Sequence, residues 1–198
     1  MSNLNWQFMF CDFYATRNLQ LDLAPIVAFC YEKKAQTDGR ILSNRGGWQS
    51  DDIYVSDRIA ALTPLTSIIQ MELIEIQNRM EIENDLRIDN MWININGHRD
   101  WNTSHRHPHS LISGVFYVRI PEGDNGRLVF ENVNPHMEYY ITRKIRVRNY
   151  NDVTASWWNI APSENQLVFF PSWLSHTVEP NYTHEDRISI AFNIGAEQ

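Results

Sequence analysis

The stretch Arg187-Ile188-Ser189-Ile190-Ala191-Phe192-Asn193-Ile194 alternates polar or small residues with large apolar ones over its whole length. Successive side chains of a strand point to opposite sides, so the isoleucines and Phe192 share one face and Arg187 and Ser189 share the other. We expect the apolar face to be buried beneath helices. The polar face is expected to look into a sandwich or barrel, where Arg187 needs a partner such as an anionic ligand.

Three further short runs, at 111–120, 127–130 and 166–170, are rich in β-branched and aromatic residues and are separated by turn-forming residues. Such runs are typical of strands and predict a β-rich core in the second half of the chain. Between 131 and 164 lies a polar, aromatic segment that is longer than a hairpin connection requires. It is interpreted either as a lid or as an ordinary extra hairpin.

The first part of the chain carries two amphipathic patterns with apolar residues three and four positions apart, which indicate helices. Their apolar faces consist of Leu23, Ile26, Val27, Cys30 and Tyr31 in the first, and Leu62, Leu65, Ile69, Leu73, Ile76 and Met80 in the second. The predicted organisation is a single domain, 1–198, with largely helical support in 1–90. A strand-rich core follows in 91–198, with an insertion at about 131–164.

Composition excludes several classes of function. The net charge is −7 with basic residues scattered along the chain, which argues against a nucleic-acid partner. No stretch approaches the roughly 18 apolar residues that a membrane span needs, and no leader pattern opens the sequence. The protein is therefore predicted to be cytoplasmic, with Cys11 and Cys30 as buried thiols. Exposed sheet edges would allow a homodimer.

Histidines crowd into Ser104-His105-Arg106-His107-Pro108-His109. In an extended segment His105 and His107 point to the same side and can converge on one metal ion, and Pro108 favours the extended conformation at His107. His176 follows an apolar strand and precedes the inward-facing Arg187 by eleven residues. This combination predicts a metal site formed by His105, His107 and His176. His109 has the same spacing from His107 and is an alternative to His105.

Several motifs, in order over nearly the whole chain, resemble a family of 2-oxoglutarate/iron(II) oxygenases found in bacteria and marine phages, and more distantly the prolyl hydroxylases. They are 43–50 (SNRGGWQS), 92–96 (WININ), 105–108 (HRHP), 113–117 (SGVFY), 170–176 (FPSWLSH) and 187–193 (RISIAFN). The resemblance implies a mainly β fold with flanking N-terminal helices. Its core would be a double-stranded β-helix, the cupin-like jelly roll, with 124–128 (DNGRL) at a Gly-x-Leu turn.

The resemblance also implies roles for individual residues. His105, His107 and His176 match the iron ligands, and Arg187 matches the basic residue that pairs with the distal carboxylate of 2-oxoglutarate. A guanidinium can bind a carboxylate through two parallel hydrogen bonds, and Ser189 on the same face can donate a third. Tyr117 matches a tyrosine that contacts the cosubstrate, with core packing as the alternative.

One position departs from the family pattern, because His107 stands where most of these oxygenases have a carboxylate. A neutral imidazole there leaves the iron site one unit more positive.

Residues on the substrate side are less specified by the sequence. Arg45 and Trp48 flank two glycines and are interpreted either as part of a structural turn or as lining the substrate side. Asn94 and Asn102 are candidate hydrogen-bonding residues of the pocket.

The function implied by the resemblance is an Fe(II)- and 2-oxoglutarate-dependent dioxygenase that uses molecular oxygen to hydroxylate a small-molecule or peptidyl substrate. Two alternatives remain open at the level of the sequence. One is a three-histidine cupin-type metalloenzyme without 2-oxoglutarate, and the other is a non-catalytic jelly-roll binding module.

Overall fold

A computed structural model describes residues 11–134 and 146–196. Its strands are β1 (Ala15–Asn18), β2 (Asn44–Arg45), β3 (Trp48–Gln49), β4 (Leu86–Asn96), β5 (Trp101–His105), β6 (Ile112–Arg119), β7 (Leu128–Glu131), β8 (Trp157–Ile160), β9 (Gln166–Pro171), β10 (His176–Val178) and β11 (Arg187–Ala196). The helices are α1 (Ala24–Gln36) and α2 (Thr63–Met80), with short 3-10 helices at Val55–Asp57 and Ala60–Leu62.

Two antiparallel sheets form the body of the described part of the chain. The larger has the strand order β1-β9-β6-β11-β4-β3, and the smaller has the order β2-β5-β10-β7-β8. Strands that are neighbours in space are mostly distant in sequence, so most pairings in both sheets depend on long connections. The predicted mainly β fold with flanking N-terminal helices is confirmed.

Both helices cover the outer face of the larger sheet. Each has a proline in its first turn, where a missing backbone N–H costs little. Ile26 and Cys30 of α1 and Leu65 and Ile69 of α2 are buried in one cluster with the isoleucines of β11. The expected burial of the apolar face of β11 under the helices is therefore confirmed. Cys11, predicted to be buried, is exposed instead.

Strand β11 lies between β4 and β6, and its register fixes the inner face of the larger sheet. Ser189 stands opposite Asn94 of β4 and Tyr117 of β6, and Asn94 stands opposite Gln49 of β3. Directly paired residues of antiparallel strands point to the same side of the sheet. Gln49, Asn94, Ser189 and Tyr117 therefore form one transverse polar row, which we call the polar row.

The space between the two sheets is closed by a second apolar cluster. Its buried members are Tyr117, Leu128, Phe130, Ile160, Val168, Phe170 and Leu174. At one side of this cluster, β8 pairs with β7 and so places Trp158 opposite Phe130.

The centre of the 131–164 segment, including Tyr139, Tyr140 and residue 144, lies outside the described residues, so its role as a lid or a hairpin stays a prediction. Within the described ranges, no helix combines the length and apolar character needed to cross a bilayer.

Candidate metal centre

Two of the predicted ligands meet because of strand pairing. His105 ends β5, His176 begins β10, and these two residues are directly paired in the smaller sheet. Their rings lie 4.3 Å apart between centroids. Antiparallel pairing thus brings together two imidazoles that are separated by 71 positions in the sequence, 176 minus 105.

The third imidazole arrives from the loop after β5. The backbone N–H of His107 donates to the carbonyl of Ser172 at 3.0 Å, which ties this loop to the segment before β10. The Nε2 atoms of His107 and His176 lie 3.3 Å apart. Two nitrogens each about 2.1 Å from one metal and at right angles to one another are roughly 3 Å apart. The observed separation therefore fits two ligands of the same ion.

Together, His105, His107 and His176 offer one ligand atom each within 4.8 Å of one another. Within residues 11–134 and 146–196, no further histidine, cysteine, aspartate or glutamate joins this group. His109 is exposed, with a left-handed φ of 76°, and is not part of the cluster. The structure thus brings together the three predicted histidines and leaves the alternative ligand outside.

Backbone carbonyls orient two of the rings. The Nδ1 of His105 lies 2.7 Å from the carbonyl oxygen of Thr103, and the Nδ1 of His176 lies 2.9 Å from that of Leu174. A carbonyl oxygen can only accept, so each Nδ1 must carry the proton and donate it. In a neutral ring Nε2 then carries a lone pair. This is the usual way in which a protein sets the tautomer of a metal-binding histidine.

Burial keeps the three imidazoles neutral. It lowers the pKa of His105, and it lowers the pKa of His176 well below the usual range, with the nearby His105 adding to the effect. For His107, burial followed by the charge of His105 lowers the pKa to about 4. Metal ions bind the neutral form of imidazole, so the cluster is ready to bind a cation at neutral pH.

Aromatic rings surround the histidines. Trp92 of β4 packs on His107 with 5.4 Å between ring centroids, and Phe170 of β9 meets His176 edge-on at 4.7 Å. Sequence reasoning did not assign Trp92 to the site. The alternation of β4 carried the signal, because Trp92, Asn94 and Asn96 fall on one face of that strand.

Arg187 lies in the same cavity as the three histidines and is only 3% exposed. One guanidinium nitrogen, NH1, donates to the carbonyls of Asn125 at 2.6 Å and Gly126 at 3.2 Å. Among the described residues Arg187 makes no salt bridge and no aspartate or glutamate lines the cavity, although the charges of Asp100 and Glu179 act on it from outside the lining. A buried cation without a paired anion is costly, so this arrangement fits an anionic ligand.

Two further predicted cosubstrate residues line this cavity, Ser189 and Tyr117. Burial raises the pKa of Tyr117 to about 12, against the opposing effect of Arg187, so its phenol keeps its proton at neutral pH and can donate it. Ser189 stands between Tyr117 and Asn94 in the polar row. The predicted set Arg187, Ser189 and Tyr117 thus lies on neighbouring strands of one sheet face.

Both predicted asparagines also line the cavity. Asn102 of β5 is buried and donates to the hydroxyl of Ser43 at 3.1 Å, while it accepts from Asn96 at 3.2 Å. The side-chain oxygen of Asn94 is buried and has no hydrogen-bond partner.

Arg45 and Trp48 do not reach the cavity. Trp48 stands opposite Ile95, packs in the cluster beneath the helices, and donates from its indole to the carbonyl of Thr37 at 3.0 Å. Arg45 is exposed and donates to the backbone carbonyl of Leu42. Between them Gly46 and Gly47 have positive φ angles of 69° and 51°. This placement favours the structural turn over the substrate-side role of Arg45 and Trp48, which stays a prediction.

The fold and the cluster define a class, the jelly-roll proteins that hold a metal ion between their two sheets. Within that class the sequence model of one family, described as "Putative 2OG-Fe(II) oxygenase", matches residues 90–193, which is just over half of the chain. The chain belongs to this family of 2-oxoglutarate- and iron(II)-dependent oxygenases and is therefore an enzyme with those two cofactors. The predicted family, enzyme class and cofactors are confirmed.

Solved structures resemble the whole fold at low sequence identity. A Pseudomonas putida prolyl-4-hydroxylase shares 13% identity and a TM-score of 0.67, with 93% of each chain covered. A Trichoplax adhaerens prolyl hydroxylase, solved with a hypoxia inducible factor peptide, has 14% identity and a TM-score of 0.65, covering 92% of this chain and 83% of that one.

HygX from Streptomyces hygroscopicus, solved with nickel and 2-oxoglutarate bound, has 11% identity and a TM-score of 0.63, covering 92% of this chain and 82% of that one. These likenesses confirm the jelly-roll fold. No protein of curated function matches the sequence.

Proposed function

We propose that the chain is a hydroxylase in which His105, His107 and His176 bind iron(II) and Arg187 binds the distal carboxylate of 2-oxoglutarate. One observation carries this proposal. A buried, unpaired guanidinium lies in the same cavity as three imidazoles whose ligand atoms converge. Either feature alone has structural explanations. Together they match a ligand that chelates a metal at one end and carries a negative charge at the other.

The donor set fits the implied metal. Three imidazole nitrogens leave coordination positions for an anionic bidentate ligand and for oxygen, and imidazole suits iron among other transition metals. With iron(II) bound, the centre supplies the oxidation in which 2-oxoglutarate, oxygen and a C–H bond yield succinate, carbon dioxide and an alcohol. The protein residues hold and orient the reactants around this centre.

Arg187 is held for its role by the backbone. The carbonyls of Asn125 and Gly126 fix NH1, so the rest of the guanidinium is available for a carboxylate. Charge-assisted bonds of this kind are short and strong. Ser189 and Tyr117 each add a hydroxyl on the same sheet face, which would orient the carboxylate in the plane of the guanidinium.

Apolar side chains exclude water from the remaining walls. The cavity is lined by Leu128 and Val178 of the smaller sheet and by Val115 and Phe170 of β6 and β9 in the larger sheet. A dry wall strengthens the hydrogen bonds and charge interactions within the site and limits side reactions with solvent.

The substrate is proposed to be a small molecule or a peptide, the second supported by the peptide bound to the Trichoplax adhaerens enzyme. A cytoplasmic location, a possible homodimer and the absence of nucleic-acid and membrane partners belong to the same proposal. The free thiols of Cys11 and Cys30 support a reducing compartment.

Anaerobic titration with iron(II) and then 2-oxoglutarate tests the proposal. We expect a charge-transfer absorption when the cosubstrate chelates the metal, followed by succinate formation once oxygen is admitted. Arg187→Gln should retain iron but weaken 2-oxoglutarate binding at least tenfold, because the charge partner is lost. Arg119→Gln is the matched control, since Arg119 is a half-buried arginine at the end of β6 that pairs with Glu185 outside the cavity.

Three results would contradict the proposal in different ways. Absence of both absorption and succinate in the wild type would exclude the cosubstrate. Unchanged 2-oxoglutarate binding and succinate formation in Arg187→Gln would exclude Arg187 as the partner of the carboxylate, and turnover of a substrate without 2-oxoglutarate would favour a three-histidine metalloenzyme. Equal and negligible iron contents in the wild type and His176→Ala would favour a non-catalytic binding module.

A further inference from the structure

Two buried side-chain atoms in the described part of the chain have no hydrogen-bond partner, and they are the carbonyl oxygens of Gln49 and Asn94. These residues are directly opposite one another on β3 and β4. Directly opposed residues have Cβ atoms about 4.5–5.5 Å apart and share a face of the sheet. The two unpaired oxygens therefore belong to one place in the molecule rather than to two unrelated defects.

Other interior asparagines of the described chain show that the space between the two sheets can satisfy buried amides. Asn102 bonds Ser43 and Asn96, and Asn193 donates to Asn90 at 3.0 Å while it accepts from Ser113 at 2.9 Å. Buried polar groups in folded proteins are nearly always paired, so each exception calls for an explanation such as a missing ligand or water. Gln49 is only 3% exposed, which leaves bulk solvent no access to it.

The location points to the reaction cavity. Asn94 lines the same cavity as His105, His107 and His176, whereas Gln49 is not among the lining residues and stands behind Asn94. Its neighbour along the polar row is Ser189, a predicted cosubstrate residue, and Gln49 lies on the far side of Asn94 from Ser189. The unpaired oxygens thus extend the polar row beyond the residues that the cosubstrate would use.

We propose that Asn94, with Gln49 directly behind it, provides a subsite for an uncharged hydrogen-bond donor of the substrate, an amide N–H or a hydroxyl. The proposal rests on the proposed function in that the occupant is taken to be the molecule hydroxylated at the metal. Both unpaired atoms accept hydrogen bonds, so the ligand must donate. The oxygens of 2-oxoglutarate are acceptors at neutral pH and cannot satisfy them.

The positive charge of Arg187 and the metal favours neutral hydrogen-bond donors over cationic ones. A cationic ammonium or guanidinium would approach Arg187 and a divalent metal, and no aspartate or glutamate lines the cavity to balance another positive charge. Burying an unbalanced charge is far more costly than burying a neutral amide or hydroxyl whose hydrogen bonds are made. The subsite is therefore suited to neutral amides and alcohols and disfavours amines.

Four probes of similar size test this selectivity: butyramide, butanol, butylammonium and butyrate. Binding is measured by saturation-transfer NMR on protein loaded with zinc, a diamagnetic substitute for iron, and saturated with 2-oxoglutarate. We expect butyramide and butanol to bind the wild type, and butylammonium and butyrate to bind at least tenfold more weakly. Asn94→Leu and Gln49→Met should each weaken butyramide binding at least tenfold.

Thermal unfolding of the unliganded variants supplies an independent measurement. Asn94→Leu removes an unpaired oxygen and should leave the melting temperature unchanged or raise it. Asn193→Leu is the matched control. It should lower the melting temperature by several degrees, because it removes two buried hydrogen bonds, the one donated to the side-chain oxygen of Asn90 and the one accepted from Ser113.

The proposal is overturned if butyramide binds both variants as it binds the wild type, or if butylammonium binds best. It is also overturned if no probe binds and only ordered water fills the space beside the two oxygens. These outcomes are separable from failure of the proposed function. Wild-type protein that makes succinate but binds no probe would refute the subsite alone, whereas probe binding without any cosubstrate chelation would refute the hydroxylase alone.

Discussion

The guanidinium of Arg187 packs against the backbone of Gly126, in the turn before β7. A Cβ atom at position 126 would lie 2.2 Å from the carbonyl oxygen of Glu179 and 2.8 Å from NH1 of Arg187. The φ angle of 79° at Gly126 is also one that residues with a side chain rarely adopt. Glycine at this turn therefore sets the position of the buried cation.

Replacing Gly126 by alanine should displace Arg187 and weaken the site for 2-oxoglutarate. We expect Gly126→Ala to raise the apparent dissociation constant for 2-oxoglutarate about tenfold or more while iron binding is retained. It should also destabilise the fold by roughly 1–3 kcal/mol through backbone strain. Cosubstrate titration of the iron-loaded protein and urea unfolding measure these two effects.

Gly123→Ala is the control, because it introduces backbone strain but places no Cβ atom against Arg187 or another close neighbour. Gly123 also has a positive φ, 106°, but the only atom near an added Cβ is the methyl group of Thr183 at 3.6 Å. This variant should lose stability and keep its affinity for 2-oxoglutarate. Equal losses of affinity in both alanine variants would show that Gly126 does not act through Arg187.

Among the elements of the fold, helix α2 stabilises the protein through one buried apolar stripe. Leu65, Ile69 and Leu73 are buried against the larger sheet, whereas Ile74 is 62% exposed. Leu65→Ala should destabilise the protein by about 2–5 kcal/mol, because it removes buried methyl groups and leaves a cavity. Ile74→Ala should change stability by less than about 0.5 kcal/mol. Chemical denaturation of both variants tests this, and similar losses would contradict the packing.

The sequence was sufficient to predict those elements whose residues repeat with a clear period. The stripes of α1 and α2 and the alternation of β11 define both the element and its buried face. Strands β1 and β3 escaped prediction because four and two residues are too few to show a period. The edge strand β1 is also exposed throughout, so no burial pattern marks it.

Pairing between distant strands explains which site residues could be anticipated. His105 and His107 are neighbours in sequence, so their proximity could be predicted, although His107 lies in the loop after β5 and is held by its bond to Ser172. The sequence could not assign Trp48 to a face of the sheet, because the pairing of β3 with β4 decides which of Trp48 and Gln49 points into the sandwich. A shift of one residue in register exchanges the two faces, and only the tertiary pairing decides it. The subsite residue Gln49 was missed for the same reason.

For the whole molecule, the buried histidines make stability depend on pH. Burial lowers the pKa of His107 to about 4 from an ordinary 6.5. Between these values the unfolded chain binds a proton that the folded chain does not, so stability falls as the pH falls. We expect His107 alone to account for on the order of 3 kcal/mol of the loss between pH 7 and pH 4 in metal-free protein.

Urea unfolding at several pH values in the presence of a chelator measures this dependence. His107→Gln should flatten the decline between pH 6.5 and pH 4 relative to the wild type. His109→Gln is the matched control, because His109 is exposed two residues away and should leave the decline unchanged. If His107→Gln followed the wild-type curve, His107 would not be buried as a neutral ring.

The central place of β11 in the larger sheet has a consequence for how the protein is made. Strands β4 and β6 are both complete by residue 119, yet the edge that each presents to β11 finds its partner only in residues 187–196. Because a ribosome adds about 5–20 residues each second, the growing chain has the β11-facing edges of β4 and β6 unpaired for several seconds. Until then the cavity lacks the wall that β11 supplies, including Arg187 and Ser189, so the proposed 2-oxoglutarate site is among the last parts of the protein to form.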